Sequence, residues 1–145
     1  MITSPRNQRL RLVNRLRSRS QRERLGLFVC AGEDIVTAAL DSGLAPSELF
    51  VAVEEGEVSP SMSLEGFPGA LEVESSLLAS VTGMTHPPRI VGVFRKADLL
   101  HAGQGEPPAH NVSLWRVSDP GNVGAIVRSA DALGPCAVYL SRGCG

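Results

Sequence analysis

The residues of this chain best suited to chemistry run from Asp119 to Gly134, in the order Asp-Pro-Gly-Asn-Val-Gly-Ala-Ile-Val-Arg-Ser-Ala-Asp-Ala-Leu-Gly. An apolar run over 114–117 predicts a buried strand ahead of them. Asp119-Pro120-Gly121 predicts a turn, and 123–133 a helix closed by Gly134. Helical spacing puts Val123, Ile126, Val127, Ala130 and Leu133 on one face as a packed stripe. Gly124, Arg128 and Asp131 fall on the other face, beside the turn that holds Asn122. A small residue, an arginine and an asparagine therefore converge at a helix entrance, where free backbone N–H groups already favour an anion. Two plainer readings use the same residues. Asp-Pro-Gly-Asn is an ordinary turn, and Arg128 with Asp131 three residues later makes an exposed ion pair of little worth. Gly121 and Gly124 do not form the dinucleotide fingerprint, and no Gly-Lys-Ser/Thr is present for a phosphate loop.

The elements that must position these residues follow from periodicity. A first helix is predicted over 5–17, with Leu10, Val13 and Leu16 as its apolar stripe and Ser4-Pro5 as its start; 22–25 adds a turn. Strands are predicted over 27–31, 49–53, 71–73 and 90–94, and helices over 33–40 and 75–81. After the motif helix, 137–140 reads as a further strand. Alternating strands and helices predict a three-layer α/β/α arrangement in the first part of the chain. Residues 97–111 hold Gly103, Gly105, Pro107 and Pro108 with few apolar residues, the composition of a linker. The expected organisation is a domain over 1–96, a linker over 97–111 and a partial domain over 112–145. The segment 54–70 says little.

Charge is unevenly spread. The net charge is −1, yet the first 24 residues hold eight arginines against Glu23 alone, a balance of +7, and the remainder carries −8. Between Glu48 and Glu74 there are seven glutamates and no Lys or Arg. A basic arm on an acidic body is the footprint of nucleic-acid contact. A solvated helical face or an Arg- and Ser-rich transit peptide would share that composition. No apolar run is long enough to cross a membrane. Cys30, Cys136 and Cys144 lack metal-ligand or redox spacing, and Cys30 sits in an apolar run as a core residue. His86, His101 and His110 have no partner at ligand spacing, so no metal site is expected. With no export signal, a reducing cytoplasm is the expected home.

The pattern Asp119-Pro120-x-Asn122-x-Gly124-x-Ile126-x-Arg128-x-Ala130-x-x-x-Gly134 resembles the first motif of the SpoU/TrmH family of RNA ribose methyltransferases, in the SPOUT superfamily. The start of the chain is similar to that family's substrate-binding domain through Ile2-Thr3-Ser4-x-x-Asn7, Gly26-Leu27-Phe28-Val29 and Gly32-Glu33-Asp34-Ile35-Val36. Ala31 departs from the family, which more often has glutamate there.

The resemblance implies a three-layer α/β/α RNA substrate-binding domain followed by the first β-α-β of a knotted α/β methyltransferase domain. It implies methyl transfer from S-adenosylmethionine to a ribose 2′-hydroxyl of rRNA or tRNA, with Arg128 catalytic and Asn122 supporting it. Asp119, Pro120 and Gly124 would shape the turn, and Arg6, Asn7, Arg9, Arg11 and Arg15 would contact RNA. A guanidinium holds its proton to above about pH 12, so a charge-stabilising role suits the arginine better than that of a general base. The family's donor site comes from later, Gly- and Ser-rich segments. The resemblance therefore implies a C-terminally truncated catalytic half with no cofactor-binding residue in this chain, and a homodimer in the complete protein. The alternative is a non-catalytic RNA-binding module or fragment.

Overall fold

The computed structural model describes residues 1–54, 69–99, 110–134 and 136–145. Most of the segment 54–70 and of the expected linker lies outside the described residues. The chain divides into two compact units, Met1–Gly103 and Gln104–Gly145.

The first unit is built on a four-stranded sheet. Its strands are β1 (Leu27–Ala31), β2 (Glu48–Val53), β3 (Leu71–Glu74) and β4 (Ile90–Arg95), in the order β1-β4-β2-β3. β4 runs antiparallel to both β1 and β2, while β2 and β3 are parallel. As a central strand β4 is buried on both faces, which is why it reads as a continuous apolar run. Ile2 bridges to Val73 at the outer edge of β3 and ties the start of the chain down.

Alternation along the strands sends side chains to two cores. On one face Phe50, Val73, Val91 and Val93 pack with Leu10, Val13 and Leu16, and with Leu78 and Val81 from a helix, α4 (Ser75–Thr82). The first three come from α1 (Gln8–Arg15) and its C-terminal cap. On the other face Cys30, Leu49, Val51, Ile90 and Phe94 pack with Val36 and Ala39 of α3 (Glu33–Asp41). Helices thus cover both faces of the sheet, in the three layers expected. Cys30 lies in the second core, and burial pushes its thiol pKa up. Gly92 has a steric reason: a Cβ there would meet the Phe94 ring at 2.5 Å. That ring stacks on Phe28 across the strand pair, centroids 5.7 Å apart.

Two helix boundaries differ from expectation. α1 begins at Gln8, because the Asn7 side chain caps it by accepting the Arg9 N–H at 2.9 Å; Ser4 and Pro5 stand ahead of that cap. The turn expected over 22–25 is a full helix, α2 (Arg19–Leu25), closed by Gly26 at φ 64°. At the end of the unit Lys96–Leu99 forms a short helix, α5, so the expected linker begins in regular structure. Lys96 Nζ donates to Glu23 at 2.7 Å and holds that carboxyl below its usual pKa.

The second unit is a β-α-β. β5 (His110–Leu114) and β6 (Cys136–Leu140) pair in parallel, joined through α6 (Pro120–Ala132). β5 therefore ends where the strand over 114–117 was expected to begin. Its partner supplies the reason: Leu114 stands opposite Leu140, the last residue of β6. Beyond that pair Trp115 is 79% exposed and Arg116 turns to φ 54°, its N–H donating to Ser141 Oγ. The helix also starts earlier than expected, with Pro120 in its first turn. Its apolar stripe is only partly covered. Ala130 is buried and Val123 and Ile126 are half-buried, whereas Val127 is exposed and Leu133 is 89% exposed. Two strands are too narrow to cover the whole stripe.

Candidate functional site

The sequence-derived site residues fall into two groups, one in each unit. In the first unit Gln8, Arg11 and Arg15 recur at i, i+3 and i+7, so the apolar stripe that seats α1 on the sheet turns them together toward solvent. They line a cleft of about 370 Å³. Among the described residues no carboxylate pairs with Arg6, Arg11 or Arg15. Arg9 differs, its guanidinium standing 3.5 Å from Glu48 on β2. Asn7 has its carbonyl oxygen committed to the helix cap.

The other arginines of the basic arm have structural posts that its composition did not reveal. Arg22 Nη1 donates to the carbonyls of Leu16 and Arg17, closing the C-terminus of α1 at 3.0 and 2.8 Å. Arg24 bonds Gln21, and the Arg17 guanidinium lies against Gly83. The balance of +7 is therefore not one free surface, and the side chains open to a ligand are a subset.

In the second unit Asp119 is the N-cap of α6, its carboxylate accepting the Asn122 N–H at 2.8 Å. The Asp-Pro-Gly-Asn segment is thus a capped first helical turn rather than a separate turn, and Asn122 stands on it. Arg128 folds back along the helix, with Nη1 3.4 Å from where a Cβ on Gly124 would stand. The arginine head thus lies over Gly124, one turn back along the helix. Among the described residues no ion pair joins Arg128 to Asp131, and no hydrogen bond joins it to Asn122. The plain ion-pair reading of this face does not hold. Asp119→Ala is expected to cost about 1 kcal/mol and to speed amide exchange at Asn122 while leaving β5 and β6 unaffected. Unchanged exchange at Asn122 would show that the cap does not hold this turn.

A family model described as the MRM3-like substrate binding domain matches residues 7–92, more than half of the chain. The chain belongs to that family. The mouse protein "rRNA methyltransferase 3, mitochondrial" is 29% identical over 89% of this chain and 32% of its own length. The Bacillus subtilis "23S rRNA (guanosine(2553)-2'-O)-methyltransferase RlmP" is 29% identical over 98% of this chain and 54% of its own. Among solved structures, the SpoU methyltransferase AviRb of Streptomyces viridochromogenes, in complex with AdoMet, superposes with a TM-score of 0.75 at 27% identity. That match covers 97% of this chain and 55% of AviRb. These relatives of the MRM3-like chain are SpoU/TrmH RNA methyltransferases, and the cofactor seen with AviRb is S-adenosylmethionine. The chain spans between about a third and a little over half of the length of these relatives.

The described residues of the second unit, which carries the motif, do not fit that cofactor. An adenosine needs an enclosed, largely apolar wall. In the second unit Trp115, Leu133, Tyr139 and Leu140 instead lie open at 79%, 89%, 59% and 54% exposure. No group of three His, Cys, Asp or Glu side chains gathers for a metal among the described residues. No helix described is long and apolar enough to cross a membrane.

Proposed function

We propose that this chain supplies the RNA-gripping part of a ribose 2′-O-methyltransferase acting on rRNA or tRNA, together with the strand and helix that carry its catalytic arginine. Residues 1–96 form the RNA-binding domain, 97–111 connect it, and 112–145 carry the motif. The observation that supports this most is the solvent-facing row of Gln8, Arg11 and Arg15 on an MRM3-like substrate-binding domain, with exposed Arg6 just ahead of the helix in sequence and no described carboxylate to neutralise them. Arg6, Arg11 and Arg15 take phosphates; Asn7 and Arg9 contribute less, one as a cap and the other facing Glu48. Arg128, with Asn122 on the first turn of the same helix, stabilises negative charge on the ribose oxygen. These 145 residues alone bind RNA without methylating it. The working protein is a cytoplasmic homodimer.

Salt dependence tests the reading. Each phosphate neutralised releases counterions, so three contacts give a slope of log K on log salt of about −2 to −3. Replacing Arg6, Arg11 and Arg15 by Gln is expected to flatten that slope markedly and to weaken binding to all RNA sequences alike. An unchanged slope in the triple variant would make the row a solvated face and remove the RNA assignment.

A further inference from the structure

A second cavity of the first unit, of about 330 Å³, is used by none of the residues discussed so far as ligands. It wraps the outer edge of β1. Val13 and Leu16 form part of its wall, β1 contributes Phe28, Val29 and Ala31, and Met84 and Thr82 stand opposite. Among the described residues its charged members are Arg17 and Arg22, with no acidic side chain in its lining.

The backbone there is as informative as the side chains. The Lys96 N–H donates to the Gly26 carbonyl and the Gly32 N–H to that of Ile90. In an antiparallel ladder the residues that exchange bonds with the partner alternate, so Phe28 and Cys30 face β4 with their N–H and C=O groups. Val29 and Ala31 direct theirs the other way, and β1 is the edge strand, with no neighbour on that side among the described strands. The cavity therefore offers donors and acceptors along one wall, apolar surface on the others and two guanidiniums.

Arg22 is held by backbone and Arg17 lies against it. Arg22 spends Nη1 on the two carbonyls that end α1, which leaves its other N–H groups without a described partner. Arg17 lies on the bare backbone of Gly83, where φ 70° already favours glycine and any Cβ would run into the guanidinium.

We propose that this cavity seats one unstacked nucleotide of the bound RNA, a deepening that rests on the RNA reading of this domain. The base lies against Met84 and the apolar wall of Val13 and Leu16, its polar edge meets the free backbone groups of Val29 and Ala31, and its phosphate is held by Arg17 and Arg22. The volume lies within the roughly 300–1,000 Å³ of small-ligand sites. Single-stranded RNA is read through splayed bases of this kind. A peptide strand added to the β1 edge would use the same backbone groups, but it gives two uncompensated guanidiniums nothing to bind.

The test uses the 145-residue chain, a single-stranded RNA decamer, and the same decamer with abasic residues throughout, followed by fluorescence anisotropy across a salt series. Bases are expected to raise affinity about tenfold over the abasic strand. Ala31→Phe fills the cavity and is expected to remove that gain while keeping the salt slope contributed by α1. Arg17→Gln should reduce the gain without filling the space. A decamer carrying 4-thiouridine, irradiated with the unaltered protein, should crosslink to the peptides holding Val29 or Met84. Crosslinks only elsewhere, or a base-dependent gain that survives Ala31→Phe, would overturn the proposal. A retained salt slope with no base effect removes the cavity site alone; loss of RNA binding altogether removes the RNA reading with it. Self-association abolished by Ala31→Phe, in place of a base effect, would assign the edge to a second copy and overturn the nucleotide.

Discussion

Arg128→Ala is expected to lower ribose methylation by about 10²–10³-fold, the cost of removing one preorganised donor to a developing oxygen anion. The measurement needs a protein that joins these residues to the portion of its relatives that the chain does not match. Two features of the described residues underlie the expectation. The guanidinium folds back over Gly124 toward the capped first turn of α6, and no described carboxylate neutralises it. In the proposed role a charged group in that place would stabilise the ribose oxygen as its proton leaves and grip the adjacent phosphate. Affinity for the methyl donor should be unchanged, because the proposed role puts Arg128 at the substrate oxygen and not at the donor. Asn122→Ala should cost less, since the Asp119 cap holds the turn through the Asn122 backbone N–H and survives the change. Full activity in Arg128→Ala, or a loss matched by an equal loss of donor affinity, would refute this assignment.

Phe50→Ala should destabilise the first unit by about 3–5 kcal/mol, close to the whole stability of many domains of this size. Phe50 is fully buried on β2, opposite Val91 on one side and Leu71 on the other, beneath α1 and α4. Truncation leaves a void bounded by two helices and three strands, none of which can collapse without breaking its own pairing. Urea unfolding should show a much lower midpoint with an unchanged slope. RNA affinity should fall only by the fraction unfolded, because Arg11 and Arg15 ride on the same helix and return with it. A loss below about 1 kcal/mol would mean that α1 is not seated on Phe50.

Much of the architecture was legible because its signals are local. The four apolar runs of the first unit became its strands, and the stripe of Leu10, Val13 and Leu16 became the buried face of α1. Boundaries were less legible where a single hydrogen bond decided them. Asn7 and Asp119 each moved a helix start by accepting one N–H, and Ser4 or Ser118 nearby carries a hydroxyl able to accept one as well. The run over 114–117 misled because apolar character says that a residue can be buried, whereas strand extent depends on how far the partner β6 reaches.

The sequence by itself determined the strand–helix order, the two-sided burial of β4, the motif from Asp119 to Gly134 and the excess of arginine at the start of the chain. These depend on residue type and on spacings of two or about 3.6, which belong to neighbours along the chain. Tertiary structure alone decided which arginines are free. Arg9 meets Glu48, Arg17 meets Gly83 and Lys96 meets Glu23 across separations that no periodicity encodes. It also decided the strand order β1-β4-β2-β3, which makes β1 an edge and opens the cavity beside it. Backbone hydrogen-bonding groups are identical at every non-proline residue, so only the pairing of strands can say which of them remain available to a ligand.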